Sequence, residues 1–142
     1  MSVTTTPTKN NIGLAQIKLH IGTDVAGAPS FNFSGTVFDR YLIAGDVTIT
    51  QALAEPLEKT VRVHGRRTKL VFGPATDYMA ALHGQYVATA TPPLKGAYLA
   101  TLEILMKLDG PDSWNGVAQI NYGHEHLENV PVKLITTPIP TN

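Results

Sequence analysis

Along most of this chain, apolar side chains fall on every second residue. That period puts one face of a segment in a core and the other in water, as a half-buried β-strand requires. Ile17, Leu19 and Ile21 alternate with Lys18 and His20; Phe31, Phe33, Gly35 and Val37 alternate with Asn32, Ser34 and Thr36. Residues 41–51 end in the β-branched run Val47-Thr48-Ile49-Thr50, and Val61 and Val63 alternate with Arg62 and His64. A turn at Gly65-Arg66-Arg67 followed by Leu70-Val71-Phe72 reads as a hairpin. Residues 86–91 (YVATAT), residues 117–122 (VAQINY) and the series Val130, Val132, Leu134 supply further strands.

The segment Ala97–Leu108 (AYLATLEILMKL) fits two periods. As a strand, Tyr98, Ala100, Leu102, Ile104, Met106 and Leu108 form one apolar face; as a helix, Glu103 and Lys107 form an i,i+4 pair. The strand accounts for more of its residues. Residues 77–83 (DYMAALH) favour a short helix, with an acidic start, good helix formers and Gly84 just past the end. Residues 51–58 (QALAEPLE) allow a turn of helix, which Pro56 limits. About eight or nine short strands separated by Gly, Pro, Asn and Asp turns predict an all-β domain, a β-sandwich or jelly roll with one short helix. A closed or double-sheet arrangement hides strand edges.

The ends differ from this body. Residues 1–11 (MSVTTTPTKNN) hold little to bury and read as a flexible arm, and residues 137–142 read as an extended tail. One domain over residues 12–136 follows. The N-terminus lacks the apolar stretch of a signal peptide, and no apolar run approaches the ~18 residues of a membrane helix. Cysteine is absent, which rules out disulfides, thiolate zinc sites and a thiol nucleophile. Eleven basic residues balance eleven acidic ones, so no overall field draws nucleic acid or an anionic membrane, and neither is an expected partner. Charged residues are 15% of the chain, against about 25% in an average domain. So neutral a surface resists association poorly, which suggests a protein partner or a homo-oligomer.

Three sets of residues carry candidate chemistry. Arg62, His64, Arg66, Arg67 and Lys69 form one basic stretch able to grip phosphate or an acidic protein surface; it lacks interleaved aromatics for base stacking. Trp114, the one tryptophan, sits in the loop LDGPDSWNGV, where it either anchors a partner or covers one end of the core. Asp109, Asp112 and Asn115 in that loop offer oxygen to calcium, but without EF-hand spacing, and a plain turn is the simpler reading. His124, His126 and Glu128 would share one face of a strand and could hold zinc or iron. The plainer alternative is a polar strand face, so no metal or cofactor is expected. No Gly-x-Ser-x-Gly elbow, Walker loop or Gly-x-Gly-x-x-Gly occurs, and no catalytic residue is assigned.

The Thr/Pro arm MSVTTTPTKNN, the β body, the PIPTN tail and the low-charge, cysteine-free composition together resemble the head decoration, or cement, proteins of tailed bacteriophages. That resemblance implies a non-enzymatic structural protein on the capsid surface of a virion, which oligomerises and clamps neighbouring capsid subunits. It transfers no functional residue. Two other functions fit the composition. One is a carbohydrate-binding module using Trp114 with Tyr41, Tyr98 or Tyr122; the other is a small metal enzyme using His124, His126 and Glu128.

Overall fold

The computed structural model describes residues 14–52, 57–89 and 96–135. The arm expected at 1–11 and the tail at 137–142 lie outside these residues. So does the middle of the turn of helix expected at 51–58.

Eight antiparallel strands form a closed barrel: β1 (Leu14–Ile21), β2 (Ser30–Phe38), β3 (Leu42–Gln51), β4 (Leu57–Phe72), β5 (Ala75–Thr89), β6 (Ala97–Leu108), β7 (Gly116–Tyr122) and β8 (Glu125–Leu134). Each strand pairs with its neighbour in sequence, and β8 returns to β1. The expected sandwich or jelly roll is therefore wrong. The alternation that predicted the strands fixes which side chains face inward, but a sandwich and a barrel impose the same inside and outside. What separates them is the pairing of the first strand with the last. Here it rests on Leu19 opposite Leu134, His20 opposite Lys133 and Ile21 opposite Val132. Two flanking bonds extend it, from the Gly22 N–H to the Pro131 carbonyl at 3.1 Å and from the Ile135 N–H to the Lys18 carbonyl at 2.9 Å.

The expected helix at 77–83 is also corrected. Those residues lie in β5, hydrogen-bonded to β4 on one side and β6 on the other. Helix-favouring Met and Ala lose to that pairing, because strand geometry points Ala80 and Leu82 into the core on alternate residues. Ala97–Leu108 is a strand, with Ala100, Leu102, Ile104, Met106 and Leu108 buried in strict alternation.

The turn expected at Gly65-Arg66-Arg67 is instead the middle of β4. This strand pairs with β3 from Leu57 to Arg66 and with β5 from Val63 to Phe72, so it passes from one partner to the other. Gly65 marks the crossing. A Cβ there would lie 1.7 Å from the Ala81 carbonyl oxygen, so only glycine permits this approach of the two backbones. Lower down, where β4 and β5 have separated, the Lys59 ammonium donates to the Val87 carbonyl at 2.8 Å and bridges the gap.

The interior is apolar. Leu19, Ile21, Phe31, Phe33, Val47, Ile49, Leu82, Leu102, Ile104, Met106 and Ile120 are almost fully buried, each contributing about 1.5–3 kcal/mol. Among the described residues, no polar or charged side chain is buried with them. Lys18, Arg62, His64, Glu103, Lys107 and Lys133 are on the outer face, the reverse of the lipid-facing pattern of a membrane barrel. One end of the barrel carries the β2–β3, β4–β5 and β6–β7 connections; the other carries β1–β2, β3–β4, β5–β6 and β7–β8.

Candidate binding surface at one end of the barrel

On β4 the inward positions run Val61, Val63, Gly65, Arg67. Continuing this parity past the apolar layer puts Arg67 over the mouth of the barrel, beneath the β6–β7 loop. Its guanidinium donates to three carbonyls of that loop: Ser113 at 2.8 Å through Nη1, and Gly110 at 2.8 Å and Pro111 at 2.6 Å through Nη2. Its carbon lies 4.7 Å from the centre of the Trp114 ring, a cation–π contact. Burial pulls its pKa below the ordinary arginine value, partly offset by Asp112 and then Tyr78. The loop is tied elsewhere too. The Asp109 N–H donates to the Asn115 carbonyl at 2.9 Å, and the Asn115 side-chain oxygen accepts from the Leu134 N–H at 2.8 Å. The loop considered for a cation does hold one, Arg67, but through the backbone carbonyls of Ser113, Gly110 and Pro111 rather than through Asp109, Asp112 or Asn115. Arg67, expected at a partner interface, and Trp114, expected either there or over one end of the core, are joined inside the molecule as a clamp on a loop that covers the core. Trp114 packs against that core.

The rest of the basic stretch does not act as one surface. Arg62 points outward and lies 3.6 Å from Asp46, both well exposed. His64 also points outward, opposite His83, with ring centres 5.9 Å apart. Arg66 and Lys69 line a notch with Arg67; the notch also takes in Tyr41, considered above only as a sugar platform, and two residues the sequence did not single out, Arg40 and Tyr78. Its volume is about 600 Å³. Four of its lining side chains are cations and none is a carboxylate. One wall is the β2–β3 turn. There the chain reverses through Asp39 (φ 51°) and Arg40 (φ 72°), both left-handed although neither is glycine, a strain found more often at functional positions than elsewhere. The Tyr41 carbonyl accepts from the Arg67 N–H at 2.6 Å, which is the last β3–β4 contact.

Past that contact β4 and β5 continue together, β6 pairing with β5 as far as Tyr78, and residues 70–77 extend as a two-stranded arm that turns at Gly73-Pro74 with Gly73 at φ 58°. Among the described residues, no strand lies on the β3 side of residues 68–72. The tip is apolar and open to solvent, with Val71 61% and Phe72 60% exposed.

The His/Glu set is divided. His124 lies in the β7–β8 turn and stacks on Tyr98, with ring centres 5.6 Å apart. His126 and Glu128 share the outer face as expected; the His126 Nε2 lies 3.1 Å from the Glu128 carboxylate, and its Nδ1 faces the Asn121 side-chain oxygen. Among the described residues no three His, Asp or Glu side chains converge as a metal site. The aromatic residues proposed as sugar platforms are also divided. Tyr41 and Trp114 are at the arm end of the barrel, Tyr98 and Tyr122 at the opposite end. There Tyr122 meets Phe31 edge to face at 5.2 Å. Burial raises the pKa of Tyr86 and Tyr122, reinforced by Tyr98 and Tyr122 around Tyr86 and by Glu125 beside Tyr122.

No curated protein matches the chain. Residues 12–127, which run from before β1 into the start of β8, match the family described as "Domain of unknown function (DUF1842)", and the chain belongs to that family.

Proposed function

We propose that this protein is a non-enzymatic binding module that engages an acidic protein partner through the notch and the arm beside it. The observation that carries this reading is the one-sided charge of the notch: Arg40, Arg66, Arg67 and Lys69 with no lining carboxylate, on a chain without net charge. Arg67 is engaged by neutral carbonyls and Asp112 offsets part of its charge, so the field of the notch rests mainly on Arg40, Arg66 and Lys69. Catalysis commonly needs an acid and a base set against each other around a reacting bond. A solvent-open surface of one sign suits recognition instead. The resemblance to head decoration proteins would make the partner a shell subunit, and that part of the reading rests on the resemblance alone.

The test is binding to fluorescently labelled poly-glutamate near physiological salt, with poly-lysine and single-stranded DNA alongside. Poly-glutamate should bind, poly-lysine should not, and the double reversal Arg66→Glu with Lys69→Glu should weaken binding by about tenfold or more, roughly 1.4 kcal/mol. No binding, or binding unchanged by the reversal, overturns the reading. DNA bound more tightly than poly-glutamate at equal charge overturns the choice of a protein partner.

A further inference from the structure

A protein normally protects an exposed strand edge with charges, proline, a bulge or a cover, because its free N–H and C=O groups accept another strand. On the β3 side of the arm, residues 68–72 (Thr, Lys, Leu, Val, Phe) present such an edge among the described residues, and four of the five are not charged. Thr, Val and Phe are among the residues that favour extended backbone. The edge is held straight from behind by β5, through the pairs Thr68 with Met79, Lys69 with Tyr78, Leu70 with Asp77, Val71 with Thr76 and Phe72 with Ala75. At its foot β3 stops, and the strained Asp39-Arg40 turn sends the chain away rather than along the arm. The position where β3 would have continued is the notch, walled by Arg40, Arg66 and Lys69.

We propose that an extended acidic segment of a partner protein adds to the arm as a further strand, pairing its backbone with residues 68–72 of β4. Its carboxylates lie on the face of Lys69, at the notch, and its apolar side chains on the opposite face with Leu70 and Phe72, since successive side chains of a strand alternate between faces. Backbone pairing supplies affinity and alternate side chains supply selectivity, as in other cases of strand addition. Charge selects this occupant over a second copy of the chain, whose own edge carries the same lysine and arginines. The proposal rests on reading the notch as the site for an acidic partner, and adds how that partner is held.

A peptide of about six alternating glutamate and valine residues, the length of an ordinary strand, separates the two ideas. The controls are a lysine–valine peptide and the glutamate–valine peptide N-methylated on alternate amides, which keeps the charge and removes one edge of backbone donors. Titration of isotope-labelled full-length protein is followed by amide NMR shifts and hydrogen exchange. Strand addition predicts shifts and slowed exchange confined to amides of residues 68–72. It also predicts about tenfold weaker binding, roughly 1.4 kcal/mol, on N-methylation. If the N-methylated peptide binds equally well and the edge amides do not change, strand addition is overturned while the acidic-partner reading stands. If no acidic peptide or polymer binds, both fall. If the lysine peptide binds as well as the glutamate peptide, the charge assignment is overturned.

Discussion

Replacing Arg67 with alanine tests the most consequential reassignment in the molecule, from partner contact to internal clamp. The bonds to Ser113 and Gly110 are partly buried, whereas the one to Pro111 is exposed and is readily replaced by water. A hydrogen bond to a charged donor nets about 1.5–3 kcal/mol. Taking the low value for the two buried bonds gives about 3 kcal/mol. The cation–π contact with Trp114, at a site only partly buried, adds about 0.5–1 kcal/mol. Arg67→Ala should therefore cost about 3–4 kcal/mol, or about 10 °C in Tm for a chain this size. Arg67→Lys keeps the charge but loses the planar fork that reaches several carbonyls at once, and should recover only about half. Urea unfolding followed by circular dichroism measures the loss, and Trp114 fluorescence in the folded variant reports whether the loop has lifted. A double-mutant cycle with Trp114→Leu should give a coupling of about 0.5–1 kcal/mol. A loss below about 1 kcal/mol with Trp114 emission unchanged would show that the loop holds itself, and the clamp argument would fail.

Three further outcomes are expected. Gly65→Ala should cost about 3 kcal/mol or prevent folding, because its Cβ would sit 1.7 Å from the Ala81 carbonyl; Gly110→Ala, with nothing within 4 Å, should be nearly neutral in the same thermal melts. Tyr86 and Tyr122 have folded pKa values raised above the ordinary phenol value. Their contribution to stability is therefore complete below about pH 10 and is lost as pH rises through the raised values. A phenolate absorbance titration should lose its latest-ionising step in Tyr86→Phe and Tyr122→Phe, and an unchanged curve in both variants would contradict their burial. Native-state hydrogen exchange should be faster at the amides of Ile135 and Gly22, which bond across the short β1–β8 seam, than at those of β6; equal protection would mean the seam is as stable as the rest.

The alternation of apolar residues made the strands legible, and β6 shows how well: every second residue from Ala100 to Leu108 is buried. Barrel closure was not legible. It depends on Leu19, His20 and Ile21 finding Leu134, Lys133 and Val132, a pairing between ordinary strand residues at opposite ends of the fold. The reading of 77–83 as helix failed because local preference cannot register two neighbouring strands competing for the same backbone groups. Gly65-Arg66-Arg67 looked like a turn because three residues interrupt the apolar series. Keeping the parity of Val61 and Val63 through Gly65 would have placed Arg67 on the inner face, beside the loop that carries Trp114. Arg40 gave no signal of its own, and Tyr41 only that of an aromatic, with nothing to place either beside Arg66. They matter because β3 starts one strand over from Arg66, which is a fact of register.

Seven of the eight strand pairings join neighbours in sequence, and only the β1–β8 seam joins distant parts of the chain. During synthesis, each hairpin can therefore zip as soon as its second strand emerges. Strand β1 must wait for the last one. Until β8 leaves the ribosome, the growing sheet is an open ribbon whose first edge has no mate, so the hazard of mispairing with another nascent chain falls on β1. A cell short of folding assistance should accumulate this protein as aggregates seeded at that strand.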